Sequence, residues 1–346
     1  MQGVAPQTAP RLTAMLLMPR GFDELTGALT HLRAQTIRSQ IQVVIVATRG
    51  REREVDPGQF DGFAALDVVA VDAIPTVASG FAAGVRYATA DLVTLVEDHV
   101  FVAPDWAATV CEAFSDGCAA GVAPLMFNAN PATATSWMNF LVCFTESVTT
   151  VVAGDVEFGP GHNTAYRRSV LEQYEGDLQR LIQTERNFHY RLRADGHVLR
   201  AEPRARLRHT NISIPYEALR AGFLGGVMFA KYRAAKMSTV ERVARTALAP
   251  LVPLVRLVRL VRAHGRLKES VGVPVLGWLL VPAGLLAHAA GEAVGYWPIV
   301  KNVESKYEFF ELHRIACVQP EERALMTGIE AGWQPRAAAR TSVAFR

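Results

Sequence analysis

The sequence has few cysteines, little net charge and no leader-like start, and each shortage excludes a class of protein. Its four cysteines form no C-x-x-C pair, which argues against a zinc ribbon and fits a reducing compartment. A net charge of +3 is too small to suggest nucleic acid as a partner. The first apolar run, residues 14–18, is shorter than the apolar part of a signal peptide and ends at Pro19. We therefore expect the protein to act in the cytoplasm.

Two phosphate-binding motifs are also absent. The stretch SGFAAG at residues 79–84 lacks the G-x-G-x-x-G spacing, which disfavours a dehydrogenase. A nucleotidyltransferase that forms sugar nucleotides needs a glycine-rich, basic loop after the first strand. The corresponding stretch here, MPRGFDEL, has one glycine and one arginine.

What remains is the composition of a folded chain with a tendency towards membranes. Apolar residues make up 50% of the 346 positions and charged residues 20%, so the chain has ample material for a core. The mean hydropathy of +0.14 is high for a purely soluble protein and suggests contact with a membrane.

Strand-like and helix-like segments alternate in the first third of the chain. Apolar runs suited to buried strands cover residues 12–18, 41–47, 66–71 and 92–96, and helical patterns cover residues 23–35, 78–89, 104–114 and, later, 183–195. This alternation predicts an α/β domain with a largely parallel sheet. In such sheets ligands bind beyond the carboxyl ends of the strands.

Three ionisable residues stand where the fourth predicted strand ends. Glu97, Asp98 and His99 follow the apolar run directly, and burying them unpaired would cost several kcal/mol. A metal ion with a charged ligand is one way to offset that cost. A surface turn with solvated charges is the alternative.

The segment before residue 270 is strongly basic. Ten Lys or Arg residues and one acid lie between Lys231 and Lys268, and arginines recur every three or four residues from Arg256 to Arg266. This spacing predicts a basic amphipathic helix of the kind that lies on membrane surfaces. The alternative is a solvated basic face packed on the catalytic domain.

An uncharged stretch follows. Residues 271–291 contain no Lys, Arg, Asp or Glu, and their length matches the roughly 20 residues that span a bilayer. Pro274, Pro282 and four glycines make this stretch a poor straight helix, so a re-entrant hairpin stays open beside a full span.

The order of these features resembles family 2 glycosyltransferases of the GT-A fold. The resemblance rests on the AQT helix end, the second strand, the acidic triplet with its APDW, and then GPGHNTAYRR, ERNFHYRLRADGH and RHTN, over roughly residues 12–235. More narrowly, the chain is similar to a subgroup in which the D-x-D motif becomes E-D-H and an N-A-N-P…S-W loop follows.

The resemblance implies an architecture. We expect an α/β GT-A domain with the Rossmann-like mixed sheet of nucleotide-diphospho-sugar transferases over residues 1–235. A basic amphipathic and apolar helical segment that associates with membranes should occupy residues 236–300, and a C-terminal tail residues 301–346.

The resemblance also implies a donor and metal site. The residues expected to bind the nucleotide-sugar donor are Pro19, Glu97, Asp98 and Asn163, and those expected to hold a divalent metal are Glu97, Asp98, His99 and His209. Imidazole ligands favour Mn²⁺ over Mg²⁺, which prefers oxygen. For His209, a structural role at a strand end is the alternative.

On the acceptor side, the resemblance implies that Glu185 is the catalytic base of an inverting transfer. Its alternative is an exposed glutamate favoured by a helix start. Trp137 and His162 are expected to bind the acceptor, although a packing role for Trp137 is the alternative.

The chain departs from the family pattern at two places. Residues 46–49 carry no acid where relatives often have an acidic pair for the nucleotide, and Phe81-Ala82 replace an Arg-Asn pair. These departures keep a second hypothesis open, a non-catalytic binding or scaffold protein with the GT-A fold.

The leading hypothesis is a metal-dependent inverting hexosyltransferase at the cytoplasmic face of the cell membrane. It would use a nucleotide-sugar donor and a lipid-linked or polysaccharide acceptor, and would contact anionic lipid through residues 240–300, as a peripheral or anchored protein.

Overall fold

The first strands form where the apolar runs predict them. The computed structural model describes residues 9–144, 151–159, 162–235 and 237–326. In it every residue of β1 (Leu12–Met18) is buried, and β2 (Ile41–Thr48) is buried except at its last residue. Strands with neighbours on both sides and cover on both faces have no solvent side, which is why they read as continuous apolar runs.

The described residues contain seven further strands. They are β3 (Ala65–Val71), β4 (Leu92–Leu95), β5 (Val100–Val102), β6 (Ala119–Asn128), β7 (Gly154–Asp155), β8 (Ala165–Arg167) and β9 (Val198–His209).

All these strands join one mixed sheet. Their order is β3-β2-β1-β4-β8-β6-β9-β5, with β7 beside β9. β1 to β4 are parallel to their neighbours within that group, whereas β8 runs antiparallel to both β4 and β6. The predicted α/β sheet is confirmed, and its parallel half is the part that the sequence pattern predicted.

The helices cover both faces of the sheet and extend beyond it. They are α1 (Thr26–Arg33), α2 (Val77–Val85), α3 (Trp106–Ala113), α4 (Ala134–Cys143), α5 (Arg168–Glu172), α6 (Leu178–Ile182), α7 (Glu185–Ala194), α8 (Pro215–Ala234), α9 (Thr239–Leu248), α10 (Val252–Val271), α11 (Val281–Gly295), α12 (Val303–Leu312) and α13 (Pro320–Met326). The helix predicted at residues 23–35 is divided into a short 3-10 turn, Phe22–Leu25, and α1.

Two apolar cores lie on opposite faces of the sheet. Successive β1 side chains alternate between them: Leu12, Ala14 and Leu16 belong to one core, and Met15 and Leu17 to the other. This alternation is the period of two that strand geometry imposes. Both faces of β1 are therefore buried, and ligands can reach it only at its ends.

The C-terminal helices form a second layer around α8. α11 approaches α8 so closely that a Cβ atom at Gly226 would collide with the carbonyl oxygen of His288, and one at Gly291 with that of Phe223. Glycine is the residue that permits such backbone contact. α11 is thus packed against the protein along one side.

The uncharged stretch at residues 271–291 is not one helix. α10 ends at Val271, Gly272 takes the left-handed conformation that terminates many helices, and a 3-10 turn precedes α11. Within the described residues, Val275–Gly295 is long and apolar enough to cross a membrane, but 39% of its most apolar window is buried inside the protein. A buried core helix would pass the same test.

The chain then returns to the sheet. Glu308 of α12 accepts a hydrogen bond from the Val77 backbone N–H at 3.0 Å, and Arg20 donates to the Leu312 carbonyl at 3.0 Å. Residues 303–317, which we expected in a tail, therefore lie against the strand ends. Residue 236, at the expected domain boundary, and residues 327–346 of the expected tail lie outside the described residues.

Candidate active site

Two residues of the acidic triplet meet a histidine from a distant strand. Val100 of β5 pairs with His209, the last residue of β9, in antiparallel register. This pairing brings His99 next to His209, and their rings pack edge to face with centroids 4.8 Å apart. The Oε2 atom of Glu97 lies 3.9 Å from Nε2 of each histidine. Sheet pairing thus assembles a metal cluster, defined here as Glu97, His99 and His209.

The side chains of the metal cluster are buried, and some of their polar atoms lack a hydrogen-bond partner among the described residues. Glu97 is 7% exposed and both histidines 1%, and the candidate ligand atoms lie within 4.8 Å of one another. Among the residues that the structure describes, Glu97 Oε1 and His99 Nε2 have no hydrogen-bond partner. Because buried polar atoms without partners cost free energy, a cation would stabilise this arrangement. One carboxylate and two imidazoles suit Mn²⁺ and later first-row ions better than Mg²⁺.

Asp98 lies behind the metal cluster and outside it. The Nδ1–H of His99 donates to Asp98 Oδ1 over 2.6 Å, so Nε2 is the ring nitrogen that faces Glu97. A carboxylate behind a metal-binding histidine fixes its tautomer and its ring orientation. We predicted Asp98 as a ligand; its carboxylate contacts His99 Nδ1 and is not part of the metal cluster, an arrangement in which it can orient the ring.

The protonation state of His209 also suits a metal. Burial lowers the pKa of His209 well below its ordinary value, and the neighbouring His99 lowers it further. The imidazole is therefore neutral over the physiological range, and neutral imidazole is the form that ligates metal ions.

Asn163 connects the metal cluster to the loop before β8. Its Nδ2 atom donates to Glu97 Oε2 at 2.8 Å, and the residue is 3% exposed. His189 of α7 holds the same loop, since its Nδ1 accepts from Gly159 N–H at 3.3 Å and its Nε2–H donates to the Tyr166 hydroxyl at 2.8 Å. Residues 160 and 161 of the predicted binding loop lie outside the described residues.

Glu185 and His162 form a partly buried ion pair at the start of α7. His162 Nδ1 lies 3.1 Å from Glu185 Oε1. Burial opposes charge on His162, but the Glu185 carboxylate raises its pKa to about 10. Burial raises the pKa of Glu185, and His162 offsets part of that rise. The carboxylate is therefore a stronger base than a solvated glutamate while it stays ionised beside the imidazolium.

One cavity connects the metal cluster with this pair. It measures about 700 Å³, and its wall includes Glu97, His209, His162, Asn163 and Glu185. That volume is in the usual range for sites that enclose a small ligand. The cavity therefore has room for a substrate between the metal cluster and the base.

Four predicted residues are not part of the described cavity wall: Asp98 and His99, which follow Glu97, and Trp137 and Pro19. Trp137 is 5% exposed, donates its indole N–H to the Pro131 carbonyl at 3.0 Å and packs against Gly277. The carbonyl of Pro19, directly after β1, accepts from the Thr48 hydroxyl at 3.1 Å. The structure thus places Trp137 in the core, and Pro19 at the carboxyl edge of the sheet.

Two residues of the expected tail reach the cavity. Glu311 and Arg314 both line it, and Arg314 is 4% exposed. Arg314 donates to Glu311 Oε2 at 2.5 Å, whereas its Nε has no hydrogen-bond partner within the described part of the chain. No local sequence pattern identifies these two residues as part of a site. They reach the cavity only because the chain returns to the sheet through α12.

The departures from the family pattern have local structural consequences. Arg49, after β2, pairs with Asp72, after β3, at 2.8 Å. An acid is therefore present at this edge of the sheet, but on the next strand and already paired. Phe81 is 3% exposed and packs in the core beneath α2, so a charged residue there would lose its hydration.

Both the sequence and the fold of this chain are similar to those of known glycosyltransferases. The model of the family "Glycosyl transferase family 2" matches residues 76–175. The fold is similar to that of the mannosyltransferase PcManGT from Pyrobaculum calidifontis, solved with GDP-Man and Mn²⁺, at 16% identity and a TM-score of 0.52, over 84% of this chain and 89% of that one. The comparison with curated proteins gave no significant match.

Two further structures are less similar. S. aureus TarS aligns at 12% identity and a TM-score of 0.43, over 86% of this chain and 55% of that one. GalNAc-T7 with UDP, GalNAc and Mn²⁺ aligns at 12% identity and a TM-score of 0.44, over 59% and 44%. The family match includes the acidic triplet and Asn163, and with the fold it confirms the predicted resemblance and the GT-A fold class.

Proposed function

We propose that this protein is a metal-dependent inverting glycosyltransferase, because its residues 76–175 match family 2 glycosyltransferases and its fold is GT-A. It transfers a hexose from a nucleotide-sugar to a hydroxyl of a lipid-linked or saccharide acceptor. The observation that carries the proposal is the cavity of about 700 Å³, whose wall includes Glu97 and His209 of the metal cluster together with the partly buried carboxylate of Glu185.

The donor diphosphate belongs on the metal side of the cavity. Glu97, His99 and His209 would hold a divalent ion, and such an ion supplies charge neutralisation for a diphosphate leaving group. Mn²⁺ in the PcManGT structure supports this choice of metal, and its GDP-Man supports a nucleotide-sugar donor. Arg314 adds a fixed positive charge to the same wall.

Glu185 is the best-placed base among the four carboxylates of the described cavity wall. Glu97 belongs to the metal cluster, Glu311 accepts from Arg314, and Glu292 accepts from the Tyr296 hydroxyl at 2.8 Å. Glu185 takes the proton of the acceptor hydroxyl as its oxygen bonds to the anomeric carbon. The bond from that carbon to the diphosphate oxygen breaks on the opposite side, so one base is enough and the configuration inverts.

The decisive experiment is an assay of nucleotide release. The full chain is incubated with a panel of nucleotide-sugars and Mn²⁺, with and without lipid extracts. Release that depends on Mn²⁺ and on one donor supports the proposed enzyme. If the protein binds a donor but releases no nucleotide with any acceptor fraction, the second candidate, a non-catalytic binding protein, is favoured. The absence of acidic residues after β2 is the sequence feature that supports this candidate.

We also propose that the enzyme works on the cytoplasmic face of a membrane. Exposed apolar residues continue along α9 and α10, among them Val243 (53% exposed) and Leu254 (60%), beside the arginines of α10. Apolar burial and attraction of cations to anionic lipid would add together there.

Substitutions on that surface test membrane binding more cleanly than truncation after residue 236, which would uncover the face of α8 that α11 covers. V243D with L254D should weaken binding to phosphatidylglycerol vesicles by roughly tenfold or more, because burying each side chain is worth about 1.5–3 kcal/mol. Co-sedimentation measures this, with Y87D, at a site 50% exposed on the GT-A domain, as the control. Equal binding by both variants would contradict the proposed surface.

A further inference from the structure

Three arginines from two helices gather on the cavity wall beside Glu185. Arg186 follows the proposed base on α7, and Arg256 and Arg259 lie one turn apart on α10. Burial lowers the pKa of Arg186, and Arg256 and Arg259 lower it further although Tyr190 opposes the shift. We define Arg186, Arg256 and Arg259 as the cationic cluster.

The cationic cluster concentrates positive charge on one part of the cavity wall. Like charges in a partly dehydrated space repel each other more strongly than they would in water. An anion among them would relieve this repulsion and accept charge-assisted hydrogen bonds, for which the planar guanidinium groups suit a phosphate. Because Arg186 and Glu185 line the same cavity, the anion and the base would share that cavity.

The same cavity opens onto an apolar surface. Leu248, Leu251 and Val255 line the cavity, yet they are 53%, 53% and 48% exposed. The apolar surface continues from them along α10 through Val258 and Val261. A soluble saccharide gains nothing from such an opening, whereas a lipid would bury its chains there while its head group reaches inwards.

We propose that the acceptor is a lipid whose head group carries a phosphate beside the reacting hydroxyl. The phosphate lies at the cationic cluster, and the lipid chains leave along Leu248, Leu251 and Val255. This inference rests on the proposed function and names the acceptor class. The head-group oxygen gains the sugar, Glu185 gains its proton, the donor loses its nucleoside diphosphate, and the lipid phosphate is unchanged.

Binding of three probes to the full chain, without donor, tests the subsite. Calorimetry compares short-chain phosphatidylglycerol, short-chain diacylglycerol and glycerol phosphate. We expect the first to bind about tenfold or more tightly than either of the others, since it alone has both phosphate and chains. If glycerol phosphate bound as tightly as phosphatidylglycerol, the site would bind a free phosphate ester without need of the lipid chains. If diacylglycerol bound as tightly as phosphatidylglycerol, the arginines would not contribute to binding. Either result overturns the proposal.

Paired variants of α10 separate the subsite from general charge. R256Q/R259Q should weaken phosphatidylglycerol binding about tenfold or more. R262Q/R266Q removes the same charge from the same helix, outside the described cavity wall, and should leave it unchanged. Equal losses in the two variants would overturn the subsite. Because Arg256 also donates to the Val142 carbonyl, its substitution could disturb the fold. R259E changes only the exposed Arg259 and repeats the test, and thermal unfolding checks that this variant is folded.

Two further measurements report on the donor side of the cavity: the affinity for nucleotide in the presence of Mn²⁺, and the release of nucleotide from the donor. If R256Q/R259Q lost nucleotide affinity but kept lipid affinity, the cluster would serve the donor diphosphate, and the inference would be wrong. If the wild type bound the lipid through the arginines but released no nucleotide from any donor, the subsite would stand and the proposed transfer would fail.

Discussion

The two walls of the cavity are built in different ways. The metal wall comes from strand ends and the turn after β4, where pairing of Val100 with His209 fixes the ligands and leaves each at most 7% exposed. The cationic wall comes from α7 and α10, and Arg259 on it is exposed. Side chains on paired strands are held more firmly than long side chains on a helix at the surface.

This difference matches the tasks we assign to the walls. A metal and a diphosphate have fixed size and charge, so a rigid wall suits them. A lipid acceptor enters from a membrane and brings mobile chains, so a wall of long, adaptable arginines beside an open apolar edge suits it. The carboxylate of Glu185 stands between the walls, and each prediction below separates one wall from the other.

Removal of the base should have the largest effect. E185Q should lower kcat by about 10²- to 10⁴-fold, because the amide keeps the shape of the side chain but cannot take a proton. Single-turnover rates and nucleotide affinity should be measured together, and the affinity should change little. E292Q serves as the control, because Glu292 is another carboxylate of the cavity wall and already accepts a hydrogen bond from the Tyr296 hydroxyl. A rate within a few-fold of wild type would remove Glu185 from its proposed role.

A change behind the metal wall should affect the metal and not the lipid. D98A removes the acceptor that holds Nδ1–H of His99, so the ring loses its fixed orientation. We expect Mn²⁺ affinity to fall by about 10- to 100-fold, the usual cost of losing such a partner. Titration with Mn²⁺ followed by electron paramagnetic resonance measures this, with D105A on an exposed side chain as the control. Unchanged affinity would mean that Asp98 does not orient the ligand.

The metal wall was largely predictable from the sequence. Buried parallel strands such as β1 and β4 appear as apolar runs, and polar residues where such a run ends stand where ligands bind. His209 was predicted through the family resemblance. Its register with Val100 could not be read from the sequence, because pairing of β5 with β9 depends on the whole sheet. The role of Asp98 depends on a rotamer that no pattern reveals.

The cationic wall was only half predictable. The arginine spacing of α10 predicted an amphipathic helix, but not that Arg256 would join Arg186 of α7. Arg314 was missed because α12 returns to the sheet through contacts, such as Glu308 with the Val77 N–H, that are distant in sequence. Trp137 is buried in the core, and the sequence alone could not distinguish a core tryptophan from a binding tryptophan.

The choice of metal ion tests the ligand set more finely. Two imidazoles favour Mn²⁺ over Mg²⁺, so activity should be higher with Mn²⁺. H99D replaces one nitrogen by oxygen and should narrow the ratio of the two rates. D105A again serves as the control and should keep the wild-type ratio. Equal rates with both metals in the wild type would show that His99 is not a ligand.

The smallest expected effect is a shift in pH dependence at the junction of the walls. The base acts as a carboxylate, so the acid limb of kcat/KM follows the pKa of Glu185. Burial raises that pKa and His162 lowers it, so H162Q should move the acid limb to higher pH. H197Q, which changes an exposed histidine elsewhere, should leave the limb in place. An acid limb unchanged in H162Q would show that the pair does not set the base.

Stability gives an independent reading of the same pair. Burial opposes charge on His162, but Glu185 raises its pKa to about 10, above the roughly 6.5 of an unfolded histidine. A raised pKa means that the folded state binds the proton more tightly, so the stabilisation is complete below about pH 6.5 and disappears as pH rises towards 10. Thermal unfolding should therefore separate wild type from H162Q most at mildly acidic pH and least near pH 10. A constant difference across that range would mean that His162 contributes packing rather than charge.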